Sequence, residues 1–178
     1  MFTKTLTYLL FSFVTIATYS QNHETVIKTQ AMEMAKAMLK KDYDNFIKYA
    51  HPKLVELGGG KEKMRPFMDT LTIRMKSFGA DIKKITIGHP YKVIAYNKEL
   101  QSSLPQTTEV SFLSGFIIVE TTLIAISQDG GKNWYFIDTN FYNEKKLKEA
   151  LPDLSPDLVI PPQKRPKIVN PEKQTESN

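Results

Sequence analysis

The sequence predicts an α+β fold, in which three N-terminal helices pack against a curved antiparallel sheet of about four to five strands. Apolar residues recur at helical spacing up to Gly79, and beyond it they alternate as they do in strands. Two apolar, β-branched runs flank Asp129-Gly130-Gly131-Lys132, which is a strong hairpin signal. Helices in the first half and paired strands in the second half are the order of an α+β domain.

The N-terminus has the layout of a secretory signal peptide. Lys4 precedes an uncharged run from Thr5 to Asn22, whose apolar centre ends at Ala17. A short basic start, an apolar middle and small residues near the end predict cleavage after Ser20. The alternative is a retained membrane anchor, but the apolar part is shorter than the roughly 20 residues that a spanning helix needs. We therefore expect a secreted or periplasmic protein, without stable membrane insertion once residues 1–20 are removed.

The composition restricts the partners and the chemistry. The chain has 178 residues, 41% of them hydrophobic, which suits one domain with an apolar core. It has no cysteine, which excludes disulfides, thiol nucleophiles and thiolate metal ligands. Its net charge of +5 is spread among acidic residues without a basic stripe, so nucleic acid is not an expected partner. The charge is compatible with a mild, nonspecific attraction to anionic surfaces.

The first half of the chain is predicted to hold the helices. A helix over residues 23–41 carries apolar residues at helical spacing. Asp42 is placed as the N-cap of a short second helix. Lys53 to Leu57 is predicted as a brief strand or turn. The third helix ends at Gly79, and it either begins at Pro66 or is kinked there.

Strands are predicted after the third helix. The first lies at Ile82 to Ile87, and a longer, more polar one runs from Tyr91 to about Leu104. Pro105 to Gly115 is predicted as a loop with some strand at Glu109 to Leu113. Phe116 to Ser127 is apolar on both alternating sets, so we expect a central strand covered on both faces.

The double-glycine hairpin also predicts a pairing register. A loop of two or four residues places three pairs opposite each other: Trp134 with Ser127, Phe136 with Ala125, and Asp138 with Leu123. A three-residue loop would change this register.

The C-terminal part of the chain is predicted to lie outside the domain of residues 21–141. Residues 142–162 are expected to hold a short helix near Leu147 to Leu151 and a segment, Leu158 to Ile160, that docks on the domain. From Gln163 to Asn178 the chain is rich in Pro and polar residues and cannot bury enough apolar surface to offset its ordering entropy. We predict a disordered tail there.

Two glycine- and aromatic-containing stretches resemble a known group of proteins. Asp42 to Pro52 followed by Gly58 to Met64, with a strand-rich half ending at Trp134-Tyr135-Phe136, is similar to small exported members of the nuclear-transport-factor-2-like superfamily. This superfamily includes ketosteroid-isomerase-like and polyketide-cyclase-like proteins. The resemblance covers roughly Glu24 to Phe141 and implies a cone-like sheet wrapped on helices around a pocket. Enzymes of the superfamily use an Asp or His base with Tyr or Asp donors, whereas many members only bind ligands or dimerise. No catalytic motif matches residue by residue, so none is carried over.

The hairpin turn has a second, local resemblance. Ser127 to Trp134 is similar to the Asp-box, S-x-D-x-G-x-x-W, of sialidase propellers, with Asn133 in place of the usual Thr. A single copy cannot build a propeller of several four-stranded blades. We therefore interpret Ser127, Asp129, Gly130 and Gly131 as a structural turn, and a surface carbohydrate contact is the alternative.

Asp138 is the main candidate for chemistry. In the predicted register it shares a sheet face with Trp134 and Phe136, and a carboxylate on an apolar face has a raised pKa and can act as a base. The alternative is an exposed or helix-capping Asp at a strand end. Tyr49, Tyr96 and Trp134 are the aromatic residues proposed to line a ligand pocket beside it, although such residues often belong to the core.

No cofactor or metal site is expected. The histidines, His23, His51 and His89, are far apart and lack metal-ligand spacing, and the last two precede proline as loop or capping residues do.

Three functions remain open from the sequence. The first is an exported domain that binds a small apolar or amphipathic ligand, or forms a homodimer through its sheet face. The second is an isomerase, dehydratase or cyclase that uses Asp138 as a base with a Tyr donor. The third is a structural protein held at the membrane by an uncleaved N-terminus.

Overall fold

The described part of the chain has the α+β organisation that the sequence predicts. Its structure is a computed structural model that describes residues 23–113, 115–141 and 144–170, so the predicted signal peptide lies outside the described residues. Helices come first and an antiparallel sheet follows. The elements are α1 (23–40), α2 (Tyr43–Tyr49), α3 (Pro52–Leu57), α4 (Lys61–Ser77), β1 (Asp81–Ile87), β2 (Ile94–Tyr96), β3 (Glu99–Phe112), β4 (Gly115–Ser127), β5 (Tyr135–Asp138), a 3₁₀ turn (Thr139–Phe141), α5 (Glu144–Ala150) and β6 (Lys167–Val169).

The second and third helices begin at residues with clear start signals. Asp42 caps α2 as predicted, because its Oδ1 accepts a hydrogen bond from the Asn45 N–H at 3.2 Å. Lys53 to Leu57 is helical, so the prediction of a strand or turn there is wrong. Pro52 is the first residue of α3, where its fixed φ suits a helix and its missing N–H would have no partner anyway. Four helices therefore precede the sheet within the described residues, one more than predicted.

The long helix α4 runs from Lys61 through Pro66, which excludes the alternative that it begins at Pro66. Gly79 ends it as predicted: its φ is +71°, and its N–H donates to Lys76 O at 2.9 Å while Ala80 N–H donates to Met75 O at 2.9 Å. All residues of α4 are described, and none of them is buried. This helix is therefore the least tightly packed of the four that precede the sheet.

A long hairpin formed by β3 and β4 is the centre of the sheet. Both β1 and β2 pair with successive parts of β3, and both β5 and β6 pair with successive parts of β4, all antiparallel. The described residues thus form a six-stranded sheet, where four to five strands were predicted.

The loop predicted to begin at Pro105 is wrong, because β3 continues without a break to Phe112, whereas the strand predicted within it from Glu109 is confirmed as far as Phe112. A proline fits this inner strand because the N and O atoms of a strand residue point to the same neighbour. Pro105 O accepts a hydrogen bond at 2.8 Å from Gly88 N–H, just beyond the end of β1. The missing N–H of Pro105 therefore points away from β4, and the β3–β4 ladder is not interrupted.

A second unpredicted feature is the turn between β2 and β3, where the sequence predicts one strand from Tyr91 to Leu104. Tyr96 pairs with Glu99, and the two intervening residues, Asn97 and Lys98, have φ values of 46° and 67°. Two positive φ angles are what a two-residue type I′ hairpin requires.

The register predicted for the double-glycine hairpin is confirmed for two of its three pairs. Trp134 precedes β5, which begins at Tyr135, so the connection over residues 128–134 is longer than the predicted loop of two or four residues. Asp138 pairs with Leu123 and Phe136 pairs with Ala125 along β4 and β5. The two faces of β4 consequently bury different sets of side chains, as predicted for a central strand. The inner face packs with α1 around Ile27, Ala31, Leu104, Leu123, Ala125, Trp134 and Phe136, and the outer face packs Ile124, Ile126 and Ile137 against Leu54, Leu147, Leu151 and Leu158.

The C-terminal segment covers the outer face of the sheet. Leu158 is buried there, whereas Val159 and Ile160 are exposed, so only the first residue of the predicted docking segment enters the core. The start of the predicted disordered tail is corrected, because residues 167–169 form β6 against β4. Residues 171–178, the rest of that tail, lie outside the described residues. Across the described ranges, every helix is too short or too polar to cross a membrane.

Candidate functional site

A cavity of about 270 Å³, here called the inner cavity, lies between the inner face of the sheet and helices α1, α2 and α4. Met38, Phe46 and Met75 line it from the helices, and Ile85 and Val119 line it from the sheet. Its volume is just below the roughly 300–1,000 Å³ of most small-molecule pockets. The inner cavity is therefore suited to a small, mostly apolar molecule.

Polar side chains meet at one wall of the inner cavity. Gln106 of β3, Thr121 of β4 and Asp138 of β5 all project from the inner face and line it, together with Asn140. Gln106 Nε2 donates to Asp138 Oδ2 at 2.8 Å and to Thr121 Oγ1 at 3.3 Å. The Asn140 N–H donates to Asp138 Oδ1 at 2.9 Å. These bonds fix the carboxylate at the cavity wall.

The pKa of Asp138 is raised. Burial of the carboxyl group is the main cause, while hydrogen bonds from Asn140, Thr121 and Gln106 act in the opposite direction. A partly buried carboxylate with a raised pKa accepts a hydrogen bond or a proton more readily than an exposed one. Asp138 is the one acid among the described residues that line the inner cavity, and it is the natural anchor for a donor group of a ligand.

The predicted site residues are not brought together as a set. Asp138 lines the inner cavity, but Tyr49, Tyr96 and Trp134 do not. Trp134 is 1% exposed in the core, with His23 edge-on to its ring at 6.2 Å between centroids. Tyr49 packs against the same core from α2, and Tyr96 is on β2 with 37% of its surface exposed. The Tyr donor expected for an enzymatic role is therefore not supplied by these residues.

The Asp-box-like stretch forms a self-contained turn. Asp129 Oδ1 accepts hydrogen bonds from the N–H groups of Lys132 and Asn133 at 3.1 and 3.0 Å, and Ser127 Oγ accepts from Gly131 N–H at 2.9 Å. Hydrogen bonds from the backbone and side chain of Asn133 are the main reason that the pKa of Asp129 is lowered to about 2. The acceptor atoms of Asp129 are thus used inside the turn, as in a structural Asx motif.

Sequence reasoning missed Gln106 and Thr121. Both were detectable in principle, since they would face each other if the strand through Pro105 were continued. The proline led to a loop prediction, which removed Gln106 from any sheet face. Met75 and Phe141 at the cavity wall carried no signal, because their positions depend on how α4 and the 3₁₀ turn pack.

His51 is a second buried titratable residue, away from the inner cavity. It is 6% exposed, and its Nδ1 has no hydrogen-bond partner in the described part of the chain. Burial lowers the pKa of His51, and the nearby Glu99 acts in the opposite direction. Its backbone N–H donates to Phe136 O at 3.2 Å, which ties the start of α3 to β5. We therefore interpret His51 as a structural residue rather than as part of a functional site.

A larger cavity, of about 760 Å³, lies on the outer face between α5 and the C-terminal segment. Leucines and prolines dominate its walls, and the described residues contribute no acid or histidine to them. In the same described ranges, no three His, Cys, Asp or Glu side chains are grouped to hold a metal ion. The inner cavity therefore has the stronger combination of apolar walls and convergent polar groups.

Comparison with known proteins identifies no relative of this chain. No protein-family model matches the chain. No curated protein and no solved structure matches it either.

Proposed function

We propose that the protein is an exported domain that binds a small, mostly apolar ligand carrying one hydrogen-bond donor. The observation that supports this most directly is the polar wall of the inner cavity, where Asp138 accepts hydrogen bonds from Gln106 and Asn140 beside apolar side chains. A few placed polar groups in an apolar pocket are the usual composition of a small-molecule site.

The size of the cavity limits the ligand. An apolar cavity of about 150 Å³ can hold benzene, so the 270 Å³ inner cavity accommodates a bicyclic hydrocarbon skeleton. A hydroxyl group on that skeleton would donate to the Asp138 carboxylate, and the remaining surface would contact Met38, Phe46 and Val119. An anionic ligand is disfavoured because the wall already carries a carboxylate.

A matched pair of probes tests this proposal. We expect 1-naphthol, which has a donor, to bind more tightly than 1-methylnaphthalene, which has the same shape without one, in isothermal titration calorimetry. The variant Asp138→Asn should weaken 1-naphthol by about fivefold or more, because hydrogen bonds to charged groups are stronger than those to neutral ones. It should leave 1-methylnaphthalene unchanged.

The position of the ligand is tested by filling the cavity. Val119→Trp places an indole in the cavity and should abolish binding of both probes, whereas Val159→Trp, at an exposed C-terminal position, should not. Circular dichroism establishes that both variants fold. Equal binding by the parent and Val119→Trp, or no binding by the parent at millimolar probe, would refute a ligand site in the inner cavity.

A second candidate function is proton abstraction next to a carbonyl group, with Asp138 as the base. The raised pKa of Asp138 and its place on the cavity wall support this alternative. Thr121 already hydrogen-bonds to Asp138, and Tyr49 and Tyr96 lie elsewhere, so the side chains of Thr108 and Asn140 are the donors that line the cavity beside it. Exchange of the α-hydrogens of 2-tetralone in D₂O, followed by NMR, would reveal this activity. Loss of the exchange in Asp138→Asn is expected if Asp138 is the base.

We retain three further proposals about the whole chain, which concern its superfamily and sheet shape, its export and its self-association. The order of helices and paired strands around a cavity supports membership of the nuclear-transport-factor-2-like superfamily and a cone-like curvature of the sheet. The composition of residues 1–20 supports export, and Edman sequencing of the accumulated protein would show whether Gln21 is its first residue. Native mass spectrometry would test the homodimer through the sheet face.

A further inference from the structure

One end of the sheet exposes large apolar side chains. Leu113, at the tip of the β3–β4 hairpin, is 93% exposed, and Phe78, at the end of α4, is 71% exposed. The two segments are in contact, since a Cβ on Gly79 would lie 3.1 Å from the Leu113 side chain. Ile168 of β6 is 70% exposed and pairs with Ile117 near the same tip. Neighbouring apolar groups in water usually mark an interaction surface.

Lysines are grouped at the same end. Asp81 begins β1 opposite Ser111, close to the hairpin tip. Lys83 Nζ lies 2.9 Å from one oxygen of this carboxylate, and Lys41 Nζ lies 3.9 Å from the other. The neighbouring Lys41 lowers the pKa of Lys76, the third lysine of the group. Two ammonium groups therefore flank one carboxylate and a third lies beside Lys41, so positive charge is in excess.

We propose that this end of the protein docks on a membrane surface that contains anionic lipid. We name it the basic-apolar end and define it as Lys41, Lys76, Phe78, Lys83, Leu113 and Ile168. Leu113 and Phe78 enter the headgroup region, and the lysines face the anionic headgroups from above it. Apolar insertion combined with electrostatic attraction is the mode of interfacial membrane binding.

A lipid surface fits these residues better than a second copy of the chain. In a two-fold dimer through this end, the same patch would meet itself, so like charges would face each other without enough acidic partners. A bilayer instead offers negative charge to the lysines and an apolar phase to a side chain at a protruding tip. Long lysine side chains also reach from the interface to headgroups with little strain.

The test is binding to large unilamellar vesicles, measured by co-sedimentation. Vesicles of 70% phosphatidylcholine and 30% phosphatidylglycerol are compared with vesicles of pure phosphatidylcholine. The protein is purified from expressing cells without further processing of its N-terminus. All variants share the same N-terminus, so any contribution of residues 1–22 is common to every sample. We expect binding to the anionic vesicles that weakens in 0.5 M NaCl.

Two sets of substitutions separate the apolar from the charged contribution. Leu113→Asp should lower the partition coefficient by tenfold or more, because it replaces a buried leucine in the bound state with a charge. Lys76→Gln with Lys83→Gln should lower it by about fivefold per lysine. The matched controls, Val159→Asp and Lys36→Gln with Lys145→Gln, change exposed residues elsewhere and should bind like the parent.

Sedimentation equilibrium without lipid distinguishes membrane docking from self-association through the same end. A parent that dimerises, does not bind vesicles and becomes monomeric in Leu113→Asp would overturn the proposal in favour of self-association. Equal loss of vesicle binding in the control variants would overturn it as well. Because the inner cavity is unchanged in these variants, 1-naphthol binding reports on the proposed function separately.

Discussion

The side-chain amide of Gln106 on β3 reaches past β4 and donates to the carboxylate of Asp138 on β5 at 2.8 Å. The two residues are far apart in sequence, and only the continuous β3–β4–β5 pairing places them on the same face. This bond holds a partly buried carboxylate at the wall of the inner cavity. It links the fold directly to the chemistry that we propose.

The effect of Asp138→Asn on the free energy of unfolding, relative to the parent, should be more favourable at neutral pH than at acidic pH. The pKa of Asp138 is raised on folding by burial, so the folded state binds more protons above the unfolded pKa of about 3.9. The contribution of Asp138 to the free energy of unfolding is therefore most favourable below the unfolded pKa. It is lost as the pH rises through the folded pKa. Urea unfolding at pH 3.5 and pH 7 should show the variant gaining on the parent at pH 7.

The control for this prediction is Asp69→Asn, which removes a charge from the exposed surface of α4. Its stability difference from the parent should change much less between the two pH values. If Asp138→Asn instead lost stability relative to the parent on going to pH 7, Asp138 would be better solvated than its contacts indicate.

His51 should make the fold sensitive to mild acid. Burial lowers its pKa on folding, so between the folded pKa and the unfolded value of about 6.5 the unfolded state binds more protons. Stability should therefore fall as the pH drops below 6.5. Thermal unfolding at pH 7.5 and pH 5.5 should show a smaller decrease in Tm for His51→Leu than for the parent. His89→Asn, at an exposed position, is the matched control and should behave as the parent does.

The two turn glycines should differ in their tolerance of a side chain. Gly130 has φ +74° with open space around a Cβ, so Gly130→Ala should cost about 1–2 kcal/mol for the left-handed backbone alone. Gly131 has φ +90°, and a Cβ there would lie 2.2 Å from the His23 ring. Gly131→Ala should therefore be clearly more destabilising in urea unfolding. Equal losses would mean that the His23 ring moves aside without penalty.

Gln101 should hold the C-terminal segment on the outer face. This fully buried side chain donates to Asp153 O at 2.8 Å and accepts from Ser155 N–H at 2.8 Å. Gln101→Leu leaves two backbone groups without their partner, and we expect a loss of about 2–4 kcal/mol. Limited proteolysis should cut near Asp153 sooner in the variant. Gln128→Leu, which alters a more exposed glutamine, should not change the cleavage pattern.

Much of the local structure follows from the sequence because its causes are local. Asp129 and the two glycines after it specify the turn, and strict alternation then fixes the pairing of Asp138 with Leu123. Asp42 and Gly79 mark helix ends through hydrogen bonds that span at most five positions of the chain. Such signals are complete within one short window of the chain.

Two of the incorrect predictions have a different cause in common. Pro52 and Pro105 both look like breaks, yet one begins a helix and the other sits in an inner strand with its nitrogen directed away from β4. The effect of a proline depends on which neighbour its missing N–H would face. That neighbour is chosen by the fold, so the residue type alone does not decide between the outcomes.

The sequence by itself determined the α+β class, the register of the final hairpin and Asp138 as the acid on an apolar face. Only the tertiary structure decided that Asp138 meets Gln106 and Thr121, that Tyr49, Tyr96 and Trp134 stay out of the inner cavity, and that β6 joins the sheet. The physical reason is range: turn and helix signals act over a few residues, whereas a cavity wall is made by strands and helices brought together by packing.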